Sequence, residues 1–321
     1  MRMNRTTATG LVTDRPRRSQ HGTLAAGAMA AGLMAAAVFA AHTAQASIVL
    51  PGAQGFGGQS NLNYASTNWS GYADAATGSS TFGSVSANWN EPTISNPSTG
   101  PNVFASFWVG LDGFNSGTVE QTGTQAEVYK GNTYYFAWYE LYPAAEVPVF
   151  AINPGDSMSA SVNYNASTAD YTLSIKDITS GASYSTSSSV SPAAARSSAE
   201  WIAEAPSFET KSGAIQPLEL ANYGSIGFSN ASASLLGSAS ASITGVTSGG
   251  NATSNSIEMI TMSNQLESLP SALSSNGSSF TVTYVPEPGS LGVLMLGGMA
   301  VLGLRRRTCV PPGRAALGCL R

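Results

Sequence analysis

The sequence predicts an all-β fold, an antiparallel β-sandwich in which two sheets pack face to face. Three observations carry this expectation. From Asn68 onward the chain breaks into short runs bounded by Gly, Pro, Asn and Ser, the pattern of many strands at regular spacing. No stretch of that region sustains a helical period that would compete. Roughly 240 residues lie between the two terminal segments, enough for one large β domain with its own core.

The chain justifies each element in turn. Met1 to Ala46 has the form of an export signal: Arg15, Arg17 and Arg18 precede an apolar Ala/Gly/Met run from Leu24 to Ala41, and Ala44-Gln45-Ala46 supplies a small-x-small cleavage site. Signal peptidase is expected to cut after Ala46, leaving a mature start at Ser47 or beyond. Residues 47–62 are rich in Gly, Gln and Asn and read as a flexible lead-in to a domain covering 63–285. The strands expected there are Trp69 to Ala73, Gly83 to Trp89, Ala105 to Leu111, Val119 to Val128, Thr133 to Tyr142, Val147 to Ile152, Ser157 to Tyr164, Tyr171 to Asp177, Ala182 to Val190, Ala199 to Ala203, Ser225 to Ser229, Ser256 to Met262 and Phe280 to Tyr284. In such a sandwich one face of each sheet is apolar and the other wet. In Thr133 to Tyr142 the period of two puts Tyr135, Ala137, Tyr139 and Leu141 on one face and Phe136, Trp138, Glu140 and Tyr142 on the other. Aromatic side chains beside a carboxylate suit a groove for an extended ligand.

Beyond the last strand, Pro286-Glu287-Pro288 precedes an apolar stretch from Leu291 to Leu304 and the cluster Arg305-Arg306-Arg307. Segment 286–307 resembles the PEP-CTERM sorting signal of Gram-negative and related bacteria. That resemblance implies recognition by an exosortase-type sorting enzyme, transient or C-terminal membrane association, and a bacterial, extracytoplasmic location, secreted or anchored at the cell surface. Residues 308–321 continue past the arginines as a tail that such signals usually lack.

Composition excludes several chemistries. Both histidines, His21 and His42, and both cysteines, Cys309 and Cys319, fall in the terminal segments. The domain therefore has no Ser-His-Asp or Cys-His nucleophile system, no thiolate or imidazole zinc site and no disulfide. Between Ser47 and Val285 four basic residues face sixteen acidic ones, a net charge of −12. So negative a body argues against nucleic acid as a partner and suits work in acid, where carboxylates protonate and self-repulsion fades. A Ser-Lys dyad is disfavoured, because Lys130, Lys176 and Lys211 sit in turns or on wet strands. What remains for hydrolysis is a carboxylate that activates water, or a carboxylate pair.

Four segments carry a second resemblance: NWSGY from Asn68 to Tyr72, FWVGLDG with VEQTG from Phe107 to Gly123, AWYELYP from Ala137 to Pro143, and AEWIAE from Ala199 to Glu204. Together and in this order they resemble the eqolisins, the glutamic peptidase family. By motif, the resemblance implies Gln121 and Glu204 as catalytic residues: Glu204 as general base on a water, Gln121 holding that water and stabilising the oxyanion. It implies supporting, substrate-binding positions at Trp69, Trp108, Asp112 and Glu140, with Glu200 as the non-catalytic glutamate of its motif. The resemblance further implies a monomer acting on polypeptide substrates without cofactor or metal. Gln125 stands where fungal members often carry an acidic residue, and the fungal disulfides are missing. Two other readings stay open. Lectin-like sandwiches of the concanavalin A or jelly-roll kind bind or cleave glycans with similar grooves, here using Glu140 and Glu204, and a matrix protein would use the Ser/Thr-rich strands as a surface. Gln121 separates them, since only the peptidase needs it.

Overall fold

The computed structural model describes residues 62–96 and 102–286, with two short strands at 42–43 and 50–51. The remainder of the expected export signal (1–46), much of the 47–62 lead-in, the sorting segment after Pro286 and the 308–321 tail lie outside the described residues. In chain order the strands are β1 (His42–Thr43), β2 (Leu50–Pro51), β3 (Leu62–Ser66), β4 (Trp69–Ala76), β5 (Phe82–Asn90), β6 (Asn102–Leu111) and β7 (Val119–Tyr129). They continue with β8 (Asn132–Tyr142), β9 (Val147–Ala151), β10 (Ser157–Asn165), β11 (Asp170–Asp177), β12 (Ser183–Ser188), β13 (Ser198–Glu204) and β14 (Ser207–Glu209). The last are β15 (Ile215–Pro217), β16 (Ser225–Leu235), β17 (Ala241–Ser242), β18 (Ala252–Ile260), β19 (Leu266–Pro270) and β20 (Phe280–Tyr284), with one short helix, α1 (Ile243–Thr247), capped by the Ser242 side chain.

The fold is the expected antiparallel β-sandwich, curled nearly into a barrel. The first sheet runs β9–β8–β7–β6–β13–β4–β18 and continues through β19 and β20 to the first half of β16. Parallel pairing occurs along β18, where β3 lies beside it. The second sheet runs β12–β11–β10–β5 and ends on the second half of β16 with β17. A small third sheet joins β1, β14 and β15. Each strand expected from the alternation is present.

The differences have physical causes. β16 runs six residues past the expected end because it changes partner, from β20 up to Phe228 to β5 from Ser229, across a register shift where Asn230 takes φ 51. The lead-in is not wholly free either, since β2 pairs with β3, whose first residue is Leu62.

Between the sheets sits the main core, built from Phe107, Val109, Leu111, Trp201, Ala203, Ala137, Val162, Leu173, Phe228 and their neighbours. The outer face of the second sheet is wet, as expected, and almost uncharged. Ser185, Ser174, Ser161, Ser86 and Ser232 form one cross-strand row, and hydroxyls pair across strands at Ser174–Ser185 (2.8 Å), Ser86–Ser232 (3.0 Å) and Ser84–Ser234 (2.7 Å). Pairing of this kind satisfies side-chain polar groups without charge. The outer face of the first sheet departs from the expected wet surface: it carries a second buried cluster of Trp69, Ala73, Trp108, Val119, Phe136, Trp138, Ile202 and Ile257, under partly exposed Tyr64, Phe114 and Tyr142.

Candidate active site

The second cluster is where the polar motif residues meet. In β13 the alternation turns Ala199, Trp201 and Ala203 into the main core, so Glu200, Ile202 and Glu204 face the other way. The register then fixes three rows across β13, β6, β7 and β8. Glu200, Gly110, Gln121 and Glu140 make the first; Ile202, Trp108, Gly123 and Trp138 the second; Glu204, Ser106, Gln125 and Phe136 the third. Trp69 adjoins Glu204 from β4. The glycines around Gln121 make room for Trp108. A Cβ on Gly123 would lie 2.5 Å from Trp108 Cβ and 2.3 Å from the Phe107 carbonyl oxygen, and one on Gly110 would lie 2.9 Å from the Trp108 ring. The indole thus lies over β7 and β6, edge-on to Trp69 with ring centroids 5.0 Å apart.

Glu204 is only 3% exposed. Its Oε2 accepts from the Trp108 indole N–H at 2.7 Å and its Oε1 from Asn68 Nδ2 at 3.2 Å. The Trp69 indole N–H lies near the same carboxyl but does not reach hydrogen-bond geometry. Burial dominates and pushes Glu204 up to about 8, while the Trp108, Trp69 and Asn68 donors pull it down.

Gln121 is fully buried, and its Nε2 donates to Glu140 Oε2 at 2.6 Å. Glu140 is held well above the usual carboxylate range, first by burial, then by the charges of Glu146 and Glu204, against the Gln121 donor. The amide oxygen of Gln121 and the second carboxyl oxygen of Glu140, each an Oε1, are buried with no protein partner, and so are the indole nitrogens of Trp69 and Trp138. Both oxygens of Glu200, in the same row, are also unpaired; buried polar atoms are nearly always paired, so six unpaired ones on a single face mark a place suited to a polar ligand.

Five of the six site residues expected from the motifs, Trp69, Trp108, Gln121, Glu140 and Glu204, therefore share this face. Gln121 and Glu204 are not bonded to each other; their register partners on β6 are Gly110 and Ser106, with Trp108 between. The sixth, Asp112, stands apart at the end of β6 with φ 70. Its carboxylate accepts from Arg196 N (2.5 Å), Ser197 N (2.8 Å), Ser197 Oγ (2.9 Å) and Ser116 Oγ (3.0 Å), tying the turn after β6 to the entry of β13. Gln125, at the position often acidic in fungal members, donates to Glu127 Oε2 at 3.0 Å and accepts from Ser106 Oγ at 3.0 Å. Asn68 was legible only as part of NWSGY; its contact with Glu204 spans 136 residues of chain, and no local pattern announces it.

A buried carboxyl with neutral donors thus shares one face with an amide–carboxyl pair and three indoles. Comparison with known proteins gives the particular class. The chain belongs to the Peptidase A4 family, whose model matches residues 67–284, and it is a glutamic endopeptidase. It is 29% identical over 250 residues to aspergillopepsin-2 of Aspergillus niger, covering 71% of this chain and 80% of that protein. The crystal structure of scytalido-glutamic peptidase with a transition state analog inhibitor is similar at a TM-score of 0.56 and 26% identity, over 68% of this chain and 98% of the other. SCP-B, a member of the eqolisin family solved in a complex with the tripeptide Ala-Ile-His, is similar at a TM-score of 0.55 and 25% identity over the same shares.

Proposed function

We propose that the protein is an exported, acid-acting endopeptidase whose working groups are Glu204 and Gln121. The observation that carries this reading is the pair of carboxyls on one buried face in unequal surroundings: Glu204 with a donor on each oxygen, Glu140 with one donor in all. Where two environments push carboxyls apart, the better-solvated one serves as base and the other stays protonated. Glu204 takes a proton from water as the water attacks the scissile carbonyl. The oxyanion is met by the free N–H of the Gln121 amide, which its bond to Glu140 orients. Glu204 then returns the proton to the departing amine nitrogen, so the group ends as it began. Trp69, Trp108 and Trp138 line the floor along which an extended peptide lies, and the unpaired oxygens of Gln121 and Glu140 face it.

A base that titrated near 8 would be ionised in only about one molecule in 10⁴ at pH 4. Activity in acid therefore requires that water and substrate in the groove add to the Trp108 and Asn68 donors. Protonated Glu140 supplies the group whose loss ends activity as pH rises. Export by signal peptidase after Ala46, and sorting through 286–307 by an exosortase-type enzyme to the bacterial surface, complete the reading; N-terminal sequencing should find Ser47 or a later residue first. The test is digestion of a denatured protein between about pH 2 and pH 7 by the wild-type chain and by Glu204→Gln, which keeps the shape and removes the ionisable group. Loss of turnover with an unchanged circular dichroism spectrum is expected; full hydrolysis by the folded variant would remove Glu204 from the mechanism.

A further inference from the structure

Asn68 lies in the turn between β3 and β4, fully buried, and both ends of its amide are held. Ser66 Oγ accepts from the backbone N–H of Asn68 (3.3 Å) and of Trp69 (3.1 Å), so its own proton is left to donate to Asn68 Oδ1 at 3.0 Å. That fixes the amide the other way round at its far end: Nδ2 points at Glu204 Oε1, 3.2 Å away, with Ser207 Oγ at 3.5 Å from the same nitrogen. The backbone carbonyl of Asn68 accepts from Ala205 N at 2.9 Å, directly after Glu204. One residue thus grips the end of β13 through main chain and side chain together.

The two donors on Glu204, an amide and an indole, are both neutral. A lysine or arginine in either place would hold the carboxylate charged so firmly that it became a poor proton acceptor. Neutral donors favour the charged form by a smaller amount and leave it able to take up and release a proton. Resting on the assignment of Glu204 as base, we propose that Asn68 is a positioning residue for it, fixing the carboxyl's direction and sustaining its charged form, with Ser66 setting the orientation of the amide.

The alternative is that Asn68 merely pins the corner between β13 and β14. The two are separated by following kcat/KM against pH in the wild-type chain, Asn68→Ala, Asn68→Asp, Ser66→Ala and Glu204→Gln, alongside a ¹³C-carboxyl NMR titration of Glu204 assigned by the resonance that Glu204→Gln removes. In Asn68→Ala the ascending limb should move up by about one pH unit, with about a tenfold loss of kcat/KM on that limb and KM almost unchanged, and the Glu204 titration should move with it. Asn68→Asp, nearly isosteric, should shift further, because it replaces a donor by a like charge that disfavours the Glu204 carboxylate; Ser66→Ala should shift less, in the same direction. If Asn68→Ala does not fold, Asn68→Asp carries the test. A folded variant with a lowered Tm but the wild-type limb and titration would overturn the proposal. Turnover by Glu204→Gln would instead overturn the base assignment beneath it, and is told apart because the Glu204 titration would still move in Asn68→Ala.

Discussion

Glu200 and Glu204 lie on one face of β13, each buried and each opposite β6. Their surroundings differ in bonding and in nearby charge. Glu204 has a hydrogen bond to each oxygen, whereas both oxygens of Glu200 lack a bonded partner, although Ser198 and the backbone of Phe114 lie close. Burial raises both carboxyls, and at Glu200 the charges of Asp112 and Glu120 add to it. Burial alone therefore does not set how a carboxyl on this face titrates. Both carboxyls favour the neutral form, but at Glu204 the bonded donors offset part of the burial, whereas at Glu200 two like charges add to it.

Substitutions along this axis should sharpen the contrast. The widest gap is expected between Glu204→Gln, which should lower kcat by about 10³-fold or more, and Glu200→Gln, which replaces a neutral acid by a neutral amide and should leave kcat in acid little changed. Steady-state kinetics on the two folded variants decides it, and equal losses would erase the distinction. Gln121→Ala should cost about 10²-fold in kcat, the usual loss of one oxyanion donor. Trp108→Phe keeps an aromatic ring, though a smaller one, and removes the N–H on Glu204 Oε2, so about a tenfold loss is expected, together with an ascending limb moved to higher pH.

The smallest effect on turnover, and a larger one on stability, should come from carboxyls outside the site. Asp74 and Glu91, like Glu120, are buried with no bonded partner; burial raises Asp74 and Glu91 to about 8, and burial with the Asp112 charge raises Glu120 to about 9. Their unfolded forms lose the proton near the ordinary carboxylate value, so between roughly pH 4 and pH 8 the unfolded state binds fewer protons than the native one. Stability is therefore full in acid and falls as pH rises, the reverse of the salt-bridged carboxylate case. Thermal unfolding followed by circular dichroism should show Tm highest in acid. Glu91→Gln should raise Tm at pH 7 by removing a mismatch on the order of a few kcal/mol, and leave it nearly unchanged at pH 4. A Tm that climbs toward neutral pH would contradict this.

Much of this was readable from residues in order, because alternation and register are local. Phe136, Trp138 and Glu140 on one face follow from a period of two, and the face they occupy is the buried one found. Short elements were not readable. β14 and β15 hold three residues each and owe their pairing to one another and to β1, while β19 carries Glu267 and Pro270 in a run that resembles a loop. Asp112 shows where parity misleads: it has the alternation of a groove residue, but φ 70 at Asp112 turns the chain there, and its carboxylate closes the loop at 196–197. The Asn68 contact required the fold itself. Choosing among sandwich functions rested on the family match, since the architecture alone does not separate a peptidase from a lectin-like protein.

The two long sides of the sandwich are fastened differently. On one, β16 belongs to both sheets, so the backbone itself crosses from one to the other and the sides cannot part without breaking ladder hydrogen bonds. On the other, β8 and β12 meet through stacked rings, Tyr139 over Tyr184 at 5.5 Å and 13°. The molecule is thus built like a hinged clasp with a stiff spine and a slippery latch. Parting of the two sheets is therefore resisted less on the side of β8 and β12, held there by side-chain stacking, than on the side of β16, held by backbone ladders.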